Sequence, residues 1–451
     1  MIPVVRLADA DYHGRPRSAF RRGGVSRSLE VWIDVDTLPA STHRAHLQGF
    51  AHHPDIDVYV TDETPGAIHV ELQTDETRNA VGARIEHADG HTLIAGGPLD
   101  TYRALAASWQ AEPQDDVSDS QLLFSALLGS VADNHPADAF VTGARALWSG
   151  MKQANAMSVT DALALVGLFL RSRDDFVVSF EPRPLTYNRG LFYWLLAREL
   201  IPSWGPAWRA LDPPRPDGSS WAFNGLGHAL IIRVDQVLRA RDRVHAELNL
   251  LQDNDTSDET LFALDGLLVA ADACFDVIAR VLNRHWALGT DAGARWRSDS
   301  WVQKLLRADH KLEVAVGDGT PLSDAVALVG ALRLSLHAMP LNTIAHARGS
   351  MRDVENLLVV PPEQQTVIEE IFDSRGGDAA WGSDVRLDAL VLLDVRRFVE
   401  ALTRFSLQTI EGTMAAIVGS ATQRDRVGDW EDTTEVRRHL RALSGTIGWN
   451  E

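Results

Sequence analysis

One amphipathic stretch, from Asp258 to Trp286, constrains the fold of this chain more than any other part of its sequence. Its apolar residues recur at alternating steps of three and four, at Leu261, Leu264, Leu268, Ala271, Phe275, Ile278 and Leu282. This spacing is typical of a helix that packs lengthwise against other long helices. The stretch contains no proline and one glycine, Gly266, and Thr256 or Ser257 is expected to cap its start.

Three further stretches share this helical periodicity, at Leu226–Gln252, Leu322–Met339 and Val385–Gly419. With the stretch at 258–286 they predict a C-terminal long-helix bundle of four helices in up-down order. Between the last two stretches, Val359–Phe372 is expected to form a short helix of its own.

The N-terminal part alternates apolar and polar residues in five short runs between residues 29 and 98, which indicates β-strands. The pair Asp89-Gly90 is a turn signal between the last two runs. Because no long helix separates the runs, the strands are expected to form a small, mainly antiparallel sheet. Asp34 and Asp36 fall on one strand face, where paired carboxylates either bind a metal, transfer protons or face solvent.

The predicted fold class is therefore α+β, mostly α, with four parts. Residues 1–28 form a basic arm with six Arg against two Asp, and residues 29–115 form the antiparallel β domain. Residues 116–220 form a helical, aromatic-rich middle region, and residues 221–451 form the long-helix bundle. The aromatic cluster either stacks on nucleic-acid bases or fills a core or a domain seam.

Composition narrows the classes of function. The formal net charge of −19 argues against a general nucleic-acid binder. One cysteine, Cys274, cannot form an internal disulfide, which fits a cytoplasmic protein. No signal peptide or membrane span is expected, because no stretch approaches the roughly 18 apolar residues that a span needs. The motifs of nucleotide, dinucleotide, zinc and serine-hydrolase sites are absent, so neither a cofactor nor a metal is expected.

Basic residues on the predicted helices are candidate sites for nucleic acid or another anion. Arg241 interrupts an apolar stripe, so it either faces an anion in a cleft or pairs with an acid on the next helix. Arg280 and His285 have an Arg-x4-His spacing, with Arg284 between them. Alternatively, these arginines continue a ladder of i, i+4 ion pairs that begins with acids earlier on the same helix.

A third polar group surrounds Pro340, where a helix must end. It contains His337, Asn342, His346 and Arg348, and Asn342 shares a face with His346 if a turn of helix resumes. Histidine transfers protons near neutral pH and arginine holds phosphate, so this group could cleave RNA without a metal.

Four long helices with Asn-x-x-x-His before the last one resemble the HEPN superfamily (higher eukaryotes and prokaryotes nucleotide-binding) over residues 226–420. The resemblance implies a nucleotide-binding protein or metal-independent ribonuclease of a bacterial defence or stress system, with a site shared across a homodimer. The family motif is Arg-x4–6-His, but Leu341 stands at the Arg position here.

Carried over to this chain, the resemblance makes His346 the catalytic acid or base and Asn342 the residue that orients it. Arg348 or Arg333 would then hold the phosphate in place of the family arginine.

The alternative hypothesis is a non-enzymatic interaction or scaffold protein whose bundle mediates dimerisation or binds a protein partner. An enzyme needs His346 and an arginine near one point of a cleft. A scaffold predicts that these side chains are dispersed or ion-paired and that an apolar surface strip forms the interface. RNA is an expected partner only of the enzyme, and a membrane is a partner of neither.

Overall fold

The computed structural model of the chain describes residues 4–5, 19–20, 27–86, 90, 92–109, 117–134, 137–147, 155–180, 184–211, 221–250, 252–338, 341–347, 354–383, 385–387, 389–420, 442–443 and 445–449. The chain divides into two compact units. Unit 1 comprises Met1–Asp9, Arg189–Leu248 and Gln252–Leu440. Unit 2 comprises Ala10–Asn188, Asn249–Leu251 and Arg441–Glu451.

The strands are β1 (Val4–Val5), β2 (Leu29–Ile33), β3 (Ile56–Val60), β4 (Ile68–Asp75), β5 (Ala80–Glu86), β6 (Thr92–Pro98), β7 (Ala139–Val141), β8 (Ala156–Met157), β9 (Val177–Ser179), β10 (Leu185–Thr186), β11 (Asn342–Ala347), β12 (Val354–Val359), β13 (Val385–Leu387) and β14 (Leu390–Asp394).

The α-helices are α1 (Thr42–Gly49), α2 (Leu99–Trp109), α3 (Asp119–Asn134), α4 (Val159–Ser172), α5 (Arg189–Leu200), α6 (Trp204–Leu211), α7 (Trp221–Glu247), α8 (Asn254–His285), α9 (Asp299–Ala308), α10 (Glu313–Val316), α11 (Pro321–Ala338), α12 (Gln365–Ser374), α13 (Asp378–Trp381) and α14 (Val395–Ser420). Short 3-10 helices occur at Phe50–His52, Arg145–Leu147, Asp291–Gly293, His310–Leu312 and Pro362–Gln364. The chain is α+β and mostly helical.

Unit 2 is built on a seven-stranded mixed sheet with the strand order β6-β5-β4-β3-β2-β7-β8. The β2 strand pairs in parallel with β3 on one side and with β7 on the other. The pairs β3–β4 and β7–β8 are also parallel, whereas β4, β5 and β6 form an antiparallel meander. Trp32 and Phe140 pack in a core with α2 and α3 on one face of the sheet. Because side chains alternate along a strand, Val31 and Ile33 face the opposite side, where α1 and α4 lie.

The prediction of a small antiparallel sheet was wrong for two physical reasons. The prediction missed α1, whose eight residues make the crossover that parallel pairing of β2 with β3 requires. All five residues of β2 are buried, which is typical of a strand covered by helices on both faces. In addition, β7 and β8 complete the sheet from a region that the sequence predicted to be helical.

Unit 1 contains the four longest helical stretches of the prediction as α7, α8, α11 and α14. The predicted seam of α8 is confirmed, since six of its seven apolar residues are buried and Leu261 is half-buried. The cap of α8 differs from the prediction. Asp253 is the N-cap and accepts a hydrogen bond from the Thr256 amide at 2.8 Å, while the Thr256 hydroxyl accepts one from the Asp253 amide.

The prediction of a C-terminal four-helix, up-down bundle was also wrong. A five-stranded sheet, ordered β1-β11-β12-β14-β13, separates α11 from α14 in the sequence and includes β1 from the predicted arm. The fourth stretch was predicted to be helical throughout because its residues Leu390–Asp394 (LVLLD), which form β14, are a short, mostly apolar run that fits a buried strand as well as a helix. The short helix predicted between residues 359 and 372 is confirmed by α12. The division into four parts stays a prediction. Among the described residues, none of the helices has the length and hydrophobicity that a membrane-spanning segment requires.

Candidate functional site

Two residues of the predicted catalytic group around Pro340 lie on a strand rather than on a resumed helix, and His337 lies near the end of α11. Both Asn342 and His346 belong to β11, where Asn342 is exposed. Leu341, at the position of the family arginine, is buried. Arg348 and the side chains of His337 and His346 lie outside the described residues.

Arg333, the alternative phosphate clamp, is engaged by a carboxylate. Its guanidinium forms a salt bridge with Asp272, which also pairs with Arg297 at 3.2 Å. A phosphate at Arg333 would have to displace this acid. The structure therefore does not present Arg333 as an open anion site.

The Arg-x4-His group of α8 is likewise dispersed. Arg284 pairs with Asp291, beyond the end of the helix, at 2.5 Å. The His285 Nδ1–H group donates to the Leu211 carbonyl oxygen at 2.9 Å, so this ring is held by backbone. Arg280 is exposed and forms no salt bridge with any described residue. The expected ion-pair ladder along α8 is replaced, at Asp272 and Arg284, by pairs with residues outside the helix.

Arg241 lies in a buried network that we call the Arg241 cluster, formed by Tyr193, Arg241, Asp242, His245 and Glu400. The guanidinium donates to Glu400 on α14 and to Asp242, at 2.8 and 2.9 Å. His245 Nε2 lies 3.2 Å from the same Glu400 oxygen, and the Tyr193 hydroxyl donates to Asp242 at 2.8 Å. Arg241 therefore does pair with an acid, but Glu400 lies on α14 and not on the next helix, α8, where the alternative placed it.

Electrostatics show that the Arg241 cluster is internally compensated. Burial acts to lower the pKa of Arg241, but Glu400 and Asp242 raise it overall, so the guanidinium stays charged. Burial lowers the pKa of His245 despite its hydrogen bond to Glu400, which keeps this imidazole neutral at pH 7. The Arg241 guanidinium is held between two carboxylates, and Glu400 also pairs with Arg404 at 3.2 Å. The cluster therefore fits a structural role better than binding of an anion.

A different place in the molecule has the features of a ligand site. The sequence analysis named Asp34 and Asp36 there as paired carboxylates that bind a metal, transfer protons or face solvent, but it did not predict the surrounding structure. The parallel strands β2, β3 and β7 end at one edge of the unit 2 sheet, which we call the carboxyl edge. The residues directly after these strands are Asp34, Thr61 and Thr142, respectively. The chain leaves β2 through α1 to reach β3 on one side, and reaches β7 on the other side only later. In α/β sheets this change of direction opens a crevice at the carboxyl ends of the strands, where ligands bind.

Asp34 occupies the centre of this edge, directly after β2. Its side chain is 2% exposed, yet three hydroxyl groups donate to one carboxylate oxygen, Oδ2. The donors are Ser125 of α3 at 2.5 Å, Thr37 at 2.9 Å and Thr142 at 2.9 Å. No described residue donates to the other oxygen, Oδ1. Unlike Arg241, this buried charge has no ion pair within the described part of the chain.

The local electrostatics of Asp34 oppose its charge. Burial raises the pKa of this carboxyl, and the three hydroxyl groups offset only part of that rise. Asp36, two residues later and exposed, raises it further. A charge at Asp34 therefore costs stability unless a cation joins it.

The loops of the carboxyl edge are held tightly around Asp34. The Gly143 amide donates to the Thr37 hydroxyl at 2.9 Å, and a Cβ atom at Gly143 would lie 2.1 Å from the Thr37 carbonyl oxygen. Only glycine permits this approach, which joins the loop after β2 to the loop after β7. Thr61, after β3, has a buried hydroxyl without a hydrogen-bond partner among the described residues.

Two helices begin at the same edge, because α1 follows β2 and α4 follows β8. Ser41 caps α1 by accepting from the Arg44 amide, and Ser158 caps α4 by accepting from the Asp161 amide. Helix N-termini carry partial positive charge and unpaired amides, which favours anions near them. Asp34, with Asp36 as a second carboxylate, could hold a cation there, although no three potential metal-ligating side chains converge anywhere in the described ranges.

A signal for this site was present in the sequence. An aspartate that follows a mostly apolar run (LEVWI) and precedes a short loop is typical of the carboxyl end of a buried parallel strand. The prediction instead assigned Asp34 to a solvent-facing or paired-carboxylate surface, because it treated the strand as antiparallel.

Comparison with known proteins identifies no relative of this chain. No protein-family model matches the sequence. Searches among curated proteins and among solved structures likewise find no similar protein. The resemblance to the HEPN superfamily stays a prediction, and the functional argument rests on the geometry of the carboxyl edge.

Proposed function

We propose that unit 2 binds a nucleotide or a related phosphate ester together with Mg²⁺ at the carboxyl edge. Asp34 would hold the cation through Oδ1, and the N-termini of α1 and α4 would face the phosphate. The observation that carries this proposal is the asymmetry of the Asp34 carboxylate, in which Oδ2 accepts from three hydroxyl groups and Oδ1 accepts from no described residue.

The donor set of the edge suits magnesium. Mg²⁺ typically takes one or two protein carboxylates and completes its coordination with water and ligand phosphates. Asp34 and Asp36 offer that number, and the hydroxyl groups on Oδ2 orient the Asp34 carboxylate as outer-sphere partners of metal ligands do. The cation would also compensate a buried charge that no described residue pairs with.

Binding is tested by calorimetric titration of the full chain with ADP and with ATP, in the presence of Mg²⁺ and in the presence of EDTA. We expect binding with Mg²⁺ and its loss with EDTA. The variant Asp34→Asn should weaken binding by at least about tenfold, because it removes the ligand charge and keeps the shape. Asp100→Asn, a change at an exposed carboxylate of α2, is the matched control and should bind like the wild type.

Two results would contradict the proposal. One is the absence of nucleotide binding to the folded wild-type chain at millimolar ligand. The other is equal affinity of the wild type and Asp34→Asn.

For unit 1, the ion pairs of Arg241, Arg284 and Arg333 favour the alternative hypothesis of an interaction protein over the ribonuclease hypothesis. These cations are already engaged by carboxylates, and they lie on three different helices.

A further inference from the structure

The outer face of α8 bears a second apolar seam, opposite the buried one. Phe262 is 69% exposed and Val269 is 45% exposed. Gly266 lies between them, and a Cβ atom at this position would meet nothing within 4 Å. With the half-buried Ala273, these residues follow the steps of four, three and four that place side chains on one helix stripe.

Charged residues flank this seam with opposite signs at its two ends. Asp255 and Asp258 are exposed at its N-terminal end, and Arg280 is exposed at its C-terminal end. None of the three forms a salt bridge with another described residue. The charge of Arg280 does interact with the Asp276 carboxylate at longer range, which acts to lower the pKa of Asp276 against the effect of burial. A helix with this polarity is complementary to a second copy of itself in antiparallel orientation, whereas parallel pairing would place like charges together.

We propose that the α8 seam, defined as Asp255, Asp258, Phe262, Gly266, Val269, Ala273 and Arg280, is the interface of a homodimer. The two copies of α8 pack antiparallel across a two-fold axis near Val269, so each acidic end meets the basic end of the other copy. The missing side chain of Gly266 permits close approach of the two helices, and Phe262 loses its exposure to water. This inference does not depend on the nucleotide site of unit 2.

The first test is sedimentation equilibrium of the full-length chain. We expect a dimer for the wild type and a dimer dissociation constant at least about tenfold higher for Phe262→Glu, which places charge in the centre of the interface. Val314→Glu changes a residue of α10 that is 82% exposed, and it should leave the dimer unchanged. Circular dichroism of each variant should match the wild type, because all the substituted side chains are exposed.

The second test separates antiparallel pairing from any other contact. Arg280→Glu alone and Asp255→Arg with Asp258→Arg should each weaken the homodimer, because like charges then meet at both ends. An equimolar mixture of these two variants should form a heterodimer, since one has two acidic ends and the other two basic ends. A monomeric wild type at about 100 µM would overturn the proposal, as would a dimer that Phe262→Glu or Arg280→Glu leaves unchanged.

Discussion

Asp34 in unit 2 and Arg241 in unit 1 are both buried charged residues, with exposed fractions of 2% and 6%, but their surroundings differ in kind. The Arg241 guanidinium is held by two carboxylates, Glu400 and Asp242. The Asp34 carboxylate is held by three neutral hydroxyl groups and by no cation from the described residues. Opposite charges surround the guanidinium of Arg241, whereas the described groups that donate to the Asp34 carboxylate are neutral.

The directions of the two pKa shifts express the same difference. The pKa of Arg241 is raised because Glu400 and Asp242 outweigh burial, so the fold stabilises its charge. The pKa of Asp34 is raised because burial outweighs its hydrogen bonds, so the fold opposes its charge. Removing the first charge should therefore destabilise the protein, and removing the second should stabilise it.

The largest expected effect is that of Arg241→Met. This change removes the guanidinium that Glu400 and Asp242 share and keeps both buried acids in place, and we expect it to lower the free energy of unfolding by about 3 kcal/mol. Urea denaturation followed by circular dichroism measures the loss. The double variant Arg241→Met with Glu400→Gln should recover part of the stability, because it also removes one of the two negative charges that the guanidinium compensated. A loss below about 1 kcal/mol would show that the cluster is not the compensated unit described above.

A smaller effect of opposite sign is expected for Asp34→Asn, which should raise the free energy of unfolding by on the order of 1 kcal/mol at pH 8 without Mg²⁺. Since the pKa of Asp34 is higher in the folded state, its burial costs stability above that pKa. The cost disappears as the pH falls below the unfolded-state pKa of about 3.9. The free energies of unfolding of the wild type and Asp34→Asn should therefore become equal in acid. Thermal unfolding measured from pH 8 down to about pH 3 tests this convergence.

Asp62→Asn is the matched control for Asp34→Asn, because Asp62 lies at the same edge but pairs with Arg44 at 3.3 Å. It should lower stability slightly rather than raise it. If both variants destabilise the protein equally, the contrast between a paired and an unpaired carboxylate at this edge does not hold.

The smallest expected effect is that of Arg284→Ala. Like Arg241→Met, this change removes an arginine–carboxylate ion pair, but the pair with Asp291 lies at the surface. Arg284 is exposed and Asp291 is half-buried near the surface, and such surface pairs contribute about 0.5 kcal/mol or less. The effect should also fall in 0.5 M NaCl, unlike that of Arg241→Met. Equal losses for the two variants would mean that burial does not set the importance of these arginines.

Local pattern predicted the elements that depend only on neighbouring residues. The seam of α8, the short helix α12 and the strands β4, β5 and β6 follow from periodicity or turn signals over a few residues. The parallel pairing of β2 with β3 and β7 did not follow, because it depends on a short helix with a weak signal and on a strand far along the chain.

The sequence by itself determined where α8 runs and which of its faces is buried, because a helical repeat is written in residues three and four apart. Only the tertiary structure decided which groups surround the two buried charged residues, Asp34 and Arg241. The donors to Asp34 from Ser125 and Thr142 lie 91 and 108 positions away, and the acid that holds Arg241 lies 159 positions away. Local residues do not specify such distant partners. For a buried charge, these partners determine whether the protein itself compensates the charge.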